Sequence, residues 1–175
     1  MRAGKLAAVL TLVAWIACSG TIVAQTAWQP APRGIGFGQQ KSKQWVQLVS
    51  SSRISIKAAA TAPTNVYLRF TIQDGLHINS HTPHSSFLIP TVLTLGQISG
   101  VQVAQIDYPN GADYHFQFSP KDALSVYTGE FAVQIHLRAR AGRYIIHGHL
   151  HYQACDDRTC NPPRMLPVQL EITAN

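Results

Sequence analysis

Charge is what this chain has least of. Asp, Glu, Lys and Arg make up 13% of its 175 residues, roughly half of the ~25% usual in globular domains. The 14 Lys and Arg against 8 Asp and Glu leave a formal charge of +6. They form no basic cluster, so nucleic-acid binding has little support. Cysteine is scarce as well, at three residues, Cys18, Cys155 and Cys160. Long apolar runs are missing. The longest, LAAVLTLVAWIA at 6–17, falls short of the roughly 20 residues that a membrane-spanning helix needs. No stretch after residue 43 carries a helical stripe of apolar residues. What is abundant is apolar character, 46% of the chain, which excludes general disorder and suits one domain large enough to bury a core.

The first residues read as a targeting segment. Arg2 and Lys5 precede the apolar run, and small residues follow it; that is the pattern of a secretory signal peptide. Residues 1–24 are expected to be removed after Ala24, with a lipoprotein-like site at Cys18 as the alternative. Trp15 is a poor match for that second site. Loss of Arg2 and Lys5 takes the charge from +6 to +4. No stable membrane insertion is then expected, and the compartment is periplasmic or otherwise exported. Residues 25–43, rich in Gln, Gly, Pro and Lys, read as a flexible leader.

From residue 44 to residue 175 the pattern is that of short strands. In NVYLRFTI (65–72), Val66, Leu68, Phe70 and Ile72 fall on one face and Tyr67, Arg69 and Thr71 on the other. That period of two marks a half-buried strand. Similar segments lie at 53–58, 101–107, 131–138, 143–153 and 165–173. Turn signals separate them at Ala62-Pro63, Asp74-Gly75, Pro109-Asn110-Gly111 and Ala141-Gly142. The expected fold is all-β, an immunoglobulin-like antiparallel β-sandwich.

In HYQACDDRTCNPP (151–163) the closely spaced cysteines stand between two such segments. Four residues are a common hairpin connection. Residues closing such a loop lie roughly 4.5–5.5 Å apart between Cα atoms, a separation that a disulfide accepts. A bridge is the default in an oxidising compartment. It would close only a tiny ring, however, and stabilisation by cross-linking grows with ring size. Arg158 would favour a thiolate, whereas Asp156 and Asp157 would oppose it. From these residues alone, a structural bridge and a redox-active one stand nearly even.

Several separated pieces occur in one order: DGLHINSHTP (74–83), FLIPTVLTL (87–95), YPNG (108–111), VYTGEF (126–131), AGRYIIHGHLHYQACDDRTCNPP (141–163) and LPVQLEI (166–172). Together they resemble the N-terminal periplasmic domain family of the thiol:disulfide interchange protein DsbD, with YQAC-x4-C-x-PP the most specific element. The resemblance implies a sandwich fold and a redox-active pair, Cys155 and Cys160, with Cys160 as the thiol that forms mixed disulfides. It implies partners that are exported thioredoxin-fold proteins or a membrane electron conduit, and no cofactor. It also implies a cap loop at 112–124 whose shielding ring is Phe116 or Phe118. His77, Tyr152 and Arg158 would border the site. The membrane region and thioredoxin domain of full-length members are not found here, so a separate electron donor is expected.

The histidines offer another reading. His147, His149 and His151 alternate on one strand face, a pattern able to bind copper, zinc or nickel. The plainer reading is a solvated outer face, with Ile146, Gly148, Leu150 and Tyr152 facing the core. The alternative function is therefore a non-catalytic, metal-binding module carrying a structural disulfide.

Overall fold

The structure is a computed structural model. It describes residues 44–116 and 119–175, without the side chains of residues 59–61, 116 and 119–122. The described residues contain no helix and form twelve strands. These are β1 (Val46–Leu48), β2 (Arg53–Ile56), β3 (Ala59–Ile72), β4 (His77–Asn79), β5 (Val92–Leu95) and β6 (Val101–Asp107). They continue with β7 (Ala112–Phe116), β8 (Ser119–Thr128), β9 (Glu130–Ala139), β10 (Gly142–Tyr152), β11 (Ala154–Cys155) and β12 (Arg164–Ala174). One sheet runs β1-β3-β9-β6, a second β2-β12-β10-β5, and a third β11-β4-β8-β7. Every pairing is antiparallel except that of β2 with β12. The expected immunoglobulin-like β-sandwich is the fold that forms, with this small third sheet added.

Alternation along β3 and β9 builds half of the core. Val66, Leu68, Phe70 and Ile72 are buried, while Tyr67 between them stays 53% exposed. Leu68 lies opposite Val133 and Phe70 opposite Phe131, so apolar side chains meet apolar ones across the ladder. The Phe70 and Phe131 rings stack at 5.3 Å. Ile146 and Leu150 of β10 and Val168, Leu170 and Ile172 of β12 supply the facing half. Each such side chain contributes roughly 1.5–3 kcal/mol by leaving water. Ile78, Tyr127 and Ala154 of the third sheet join the same cluster.

Two features place the third sheet. The chain leaves β8 for β9 through Gly129, whose φ of 60° is a left-handed conformation that glycine adopts without penalty. At Gly111 the backbone passes so close to Ser80 and Ser125 that a Cβ would lie 2.1 Å from Ser125 Oγ. The expected turn at Pro109-Asn110-Gly111 is thus also a point of close approach, just before β7.

The structure departs from the sequence reading near the cysteines. A single hairpin was expected to carry both at its mouth. The β10–β12 ladder instead ends at Tyr152 opposite Arg164. The chain then crosses to the third sheet, where β11 pairs with β4. The segment 112–124, expected as a loop, is largely the β7–β8 hairpin.

A disulfide at the edge of the third sheet

The site grows out of β4. His77, Ile78 and Asn79 are all buried, because β8 lies along one side of this strand and β11 along the other. Their pairing sets Cys155 directly opposite His77 and Ala154 opposite Ile78. Cys155 is 1% and His77 2% exposed. Cys160 is exposed and bonded to Cys155. The two residues joined by this bond therefore differ sharply in access to solvent.

The Cys155 and Cys160 Cα atoms are 4.0 Å apart, closer than the expected spacing. The flanking hydrogen bonds show which kind of pair this is. Asp156 N–H donates to the Thr159 carbonyl and Asn161 N–H to the Ala154 carbonyl, each at 2.9 Å. The cysteines thus form a non-hydrogen-bonded antiparallel pair, the narrower of the two kinds. Between them Asp156 organises the turn. Its Oδ1 accepts the Arg158 N–H at 2.8 Å and the Thr159 N–H at 2.7 Å. Those bonds hold its carboxyl below the usual range. Gln153 donates to the Asn161 carbonyl, and the Asn161 side chain to that of Ala154, both at 3.1 Å. The loop keeps its shape through these six bonds, none of which involves sulfur.

Tyr114, on β7, covers this region. Its ring lies 4.3 Å from that of His77, and its hydroxyl donates to the Asp157 carboxylate. That bond, followed by burial, raises the phenol above its ordinary range. Burial lowers His77 from its ordinary value, opposed by the charges of Asp157 and Asp156. A cleft of about 260 Å³ lies at His77 and Tyr114, lined also by Asp74, Leu76, Thr128 and Asp157. A larger cleft of about 620 Å³, lined by Leu95, Ile98, Val101 and Ile146 among others, holds no titratable group and does not reach the cysteines.

The expected site residues fall out as follows. Cys155, Cys160, His77 and Arg158 are gathered at the loop, Arg158 being exposed. Tyr152 is 3% exposed and belongs to the core, since it faces inward at the last rung of the β10–β12 ladder. Phe116 ends β7, but its ring lies outside the described residues, as does all of Phe118. Tyr114 and Asn161 were not expected at the site; nothing in the sequence sets Tyr114 apart from its aromatic neighbours. His147, His149 and His151 do share a face, His147 exposed and the other two half-buried. Among the described residues no group of three His, Cys, Asp or Glu could hold a metal ion. No helix among them is long and apolar enough to cross a membrane.

A family model described as thiol:disulfide interchange protein DsbD, N-terminal, matches residues 46–171. No curated protein matches the chain. Among solved structures it is similar to the DsbD N-terminal domain of Neisseria meningitidis in the reduced form. Identity is 22% and the TM-score 0.41, over 67% of this chain and 82% of that one. It is also similar to a chain in the complex between the DsbD N-terminal and PilB N-terminal domains of Neisseria meningitidis. There identity is 20% and the TM-score 0.41, over 64% and 77% of the two chains. The family match takes in His77, Tyr114, both bonded cysteines and all but the last three residues of β12. With its bridged cysteines inside the matched region, this chain belongs to the family of the DsbD thiol:disulfide interchange N-terminal domain.

Proposed function

We propose that the Cys155–Cys160 bridge is a working redox couple that relays electrons to or from exported thioredoxin-fold partners. The observation that carries this reading is one exposed cysteine bonded to one buried cysteine, in a loop that other bonds hold in shape. Thiol–disulfide exchange proceeds by thiolate attack on a sulfur, and access decides which sulfur is attacked. A partner thiolate reaches Cys160 Sγ. A bond forms between the partner's sulfur and Cys160 while the Cys155–Cys160 bond breaks, leaving the electron pair on Cys155. In the opposite direction Cys160 attacks a partner disulfide, and Cys155 then displaces the partner's thiolate. The chemistry runs on sulfur alone. The β7–β8 hairpin serves as the cover that partners displace, and the N-terminal segment 1–24 directs export.

Trapping tests the proposal. Cys155→Ala removes the resolving sulfur, so Cys160 should accumulate a mixed disulfide with exported thioredoxin-fold proteins, released by dithiothreitol. Cys160→Ala should trap far less. If neither variant captures a partner, the relay reading fails.

A further inference from the structure

Resting on the relay reading, a question of proton balance remains at Cys155. For this residue to displace a partner from Cys160, its thiol must lose a proton, yet Cys155 is 1% exposed and has almost no contact with bulk water. Burial in apolar surroundings also raises a thiol's pKa. A proton acceptor therefore has to sit inside the protein. His77 lies directly across the ladder from Cys155 on β4 and is itself 2% exposed. Cross-strand neighbours of this kind bring their Cβ atoms to roughly 4.5–5.5 Å, within reach of an imidazole and a sulfur.

We infer that His77 is the general base for Cys155, taking its proton as it attacks Cys160 and returning it when the bridge opens. The step balances. Cys155 S–H attacks Cys160 Sγ of the mixed disulfide, so the Cys155–Cys160 bond forms and the Cys160–partner bond breaks. The electron pair departs on the partner's sulfur, and the proton moves to the His77 ring.

The other groups around His77 fit the role less well. Tyr114, tilted against its ring from β7, holds its proton in the bond to Asp157. Asp156 is committed to its own turn, and Asp157 to Tyr114. Asp74, which shares the cleft, is exposed on the turn before β4 and does not lie across the ladder from Cys155. Thr128, opposite His77 on β8, does not titrate in this range. Burial keeps His77 neutral and ready to accept a proton, and the fields of Asp157 and Asp156 favour the imidazolium that results. A neutral imidazole held beside the reacting group is the commonest general base.

The reduced full chain can be tested with dithiobisnitrobenzoate, an aromatic disulfide whose released thiolate is coloured. Attack by Cys160 gives the first release, and resolution by Cys155 gives the second. His77→Gln and His77→Phe should leave the first within about twofold and slow the second at least about tenfold. In the unmutated protein the second release should fall off only below the imidazole range. In the variants it should track thiol ionisation. An unchanged second release, or equal slowing of both, overturns the inference. If Cys160 of the unmutated protein does not react at all, the relay reading fails and this inference with it. Should the variants not fold, the His77 ring can be titrated by nuclear magnetic resonance in the reduced protein, with and without Cys155→Ala. A shifted titration supports the inference, and identical curves overturn it.

Discussion

Opening the Cys155–Cys160 bridge should cost the domain little stability, and the amount can be worked out. The cysteines are five positions apart, so the cross-link closes a ring of about six residues, and the chain-entropy relation gives about 2 kcal/mol at 25 °C. That is a ceiling for this loop, because the Asp156 turn, Gln153 and Asn161 hold its shape through bonds that survive reduction. It is a small part of the ~5–15 kcal/mol that separates typical folded and unfolded domains. It is also no larger than the ~2–5 kcal/mol expected from emptying one core position, such as the fully buried Leu68, by Leu68→Ala. Urea unfolding followed by circular dichroism would compare the oxidised protein, the reduced protein and the Cys155→Ala/Cys160→Ala double variant. All three should be folded at 25 °C, with midpoints differing by no more than about 2 kcal/mol divided by a common slope. A relay has to open and close its bridge without unfolding. A loss above about 4 kcal/mol, or a reduced protein that is already unfolded, would refute this reasoning and mark the bridge as a staple.

Tyr114→Phe keeps the ring on His77 but removes the hydroxyl that bonds Asp157. Stability should change by no more than about 1 kcal/mol, while dithiothreitol reduces the bridge severalfold faster; an unchanged rate would show that this hydrogen bond does not guard it. His77 provides a pH test. Its folded pKa lies below the ordinary value, so the folded state binds fewer protons. The stability it supports is full above about pH 6.5 and is lost as pH falls through its folded pKa. Urea midpoints for His77→Phe should therefore fall less steeply on acidification than those of the unmutated protein, and parallel curves would contradict the sign. Gly111→Ala should loosen the third sheet by forcing Ser125 aside, seen as faster amide exchange in β7 and β8 with little change in β3 or β9. Uniform exchange across all four strands would argue against local loosening.

How much could be read in advance followed from how each strand is buried. β3, β9 and β12 bury one face and wet the other, so their period of two was visible. β4 is buried on both faces, which erases the alternation, and the sequence LHINS suggested only a motif. β7 and β8 contain Asp113, Pro120 and Lys121, residues typical of loops, and pair only because the hairpin closes on itself beside β4. The cysteines were legible as a pair from their spacing. Their unequal access was not, since Cys155 is buried by a strand some eighty residues earlier. The Tyr114–Asp157 bond spans 43 positions, and no local pattern encodes it. Tyr152, expected beside the site, follows the inward side of the β10 alternation into the core.

The most direct test of the relay is the reduction potential of the Cys155–Cys160 couple, measured by equilibration with glutathione and with thioredoxin. An exchangeable couple should lie above about −300 mV and equilibrate with thioredoxin while the domain stays folded. A value below about −300 mV, or a bridge that thioredoxin leaves untouched, would contradict it.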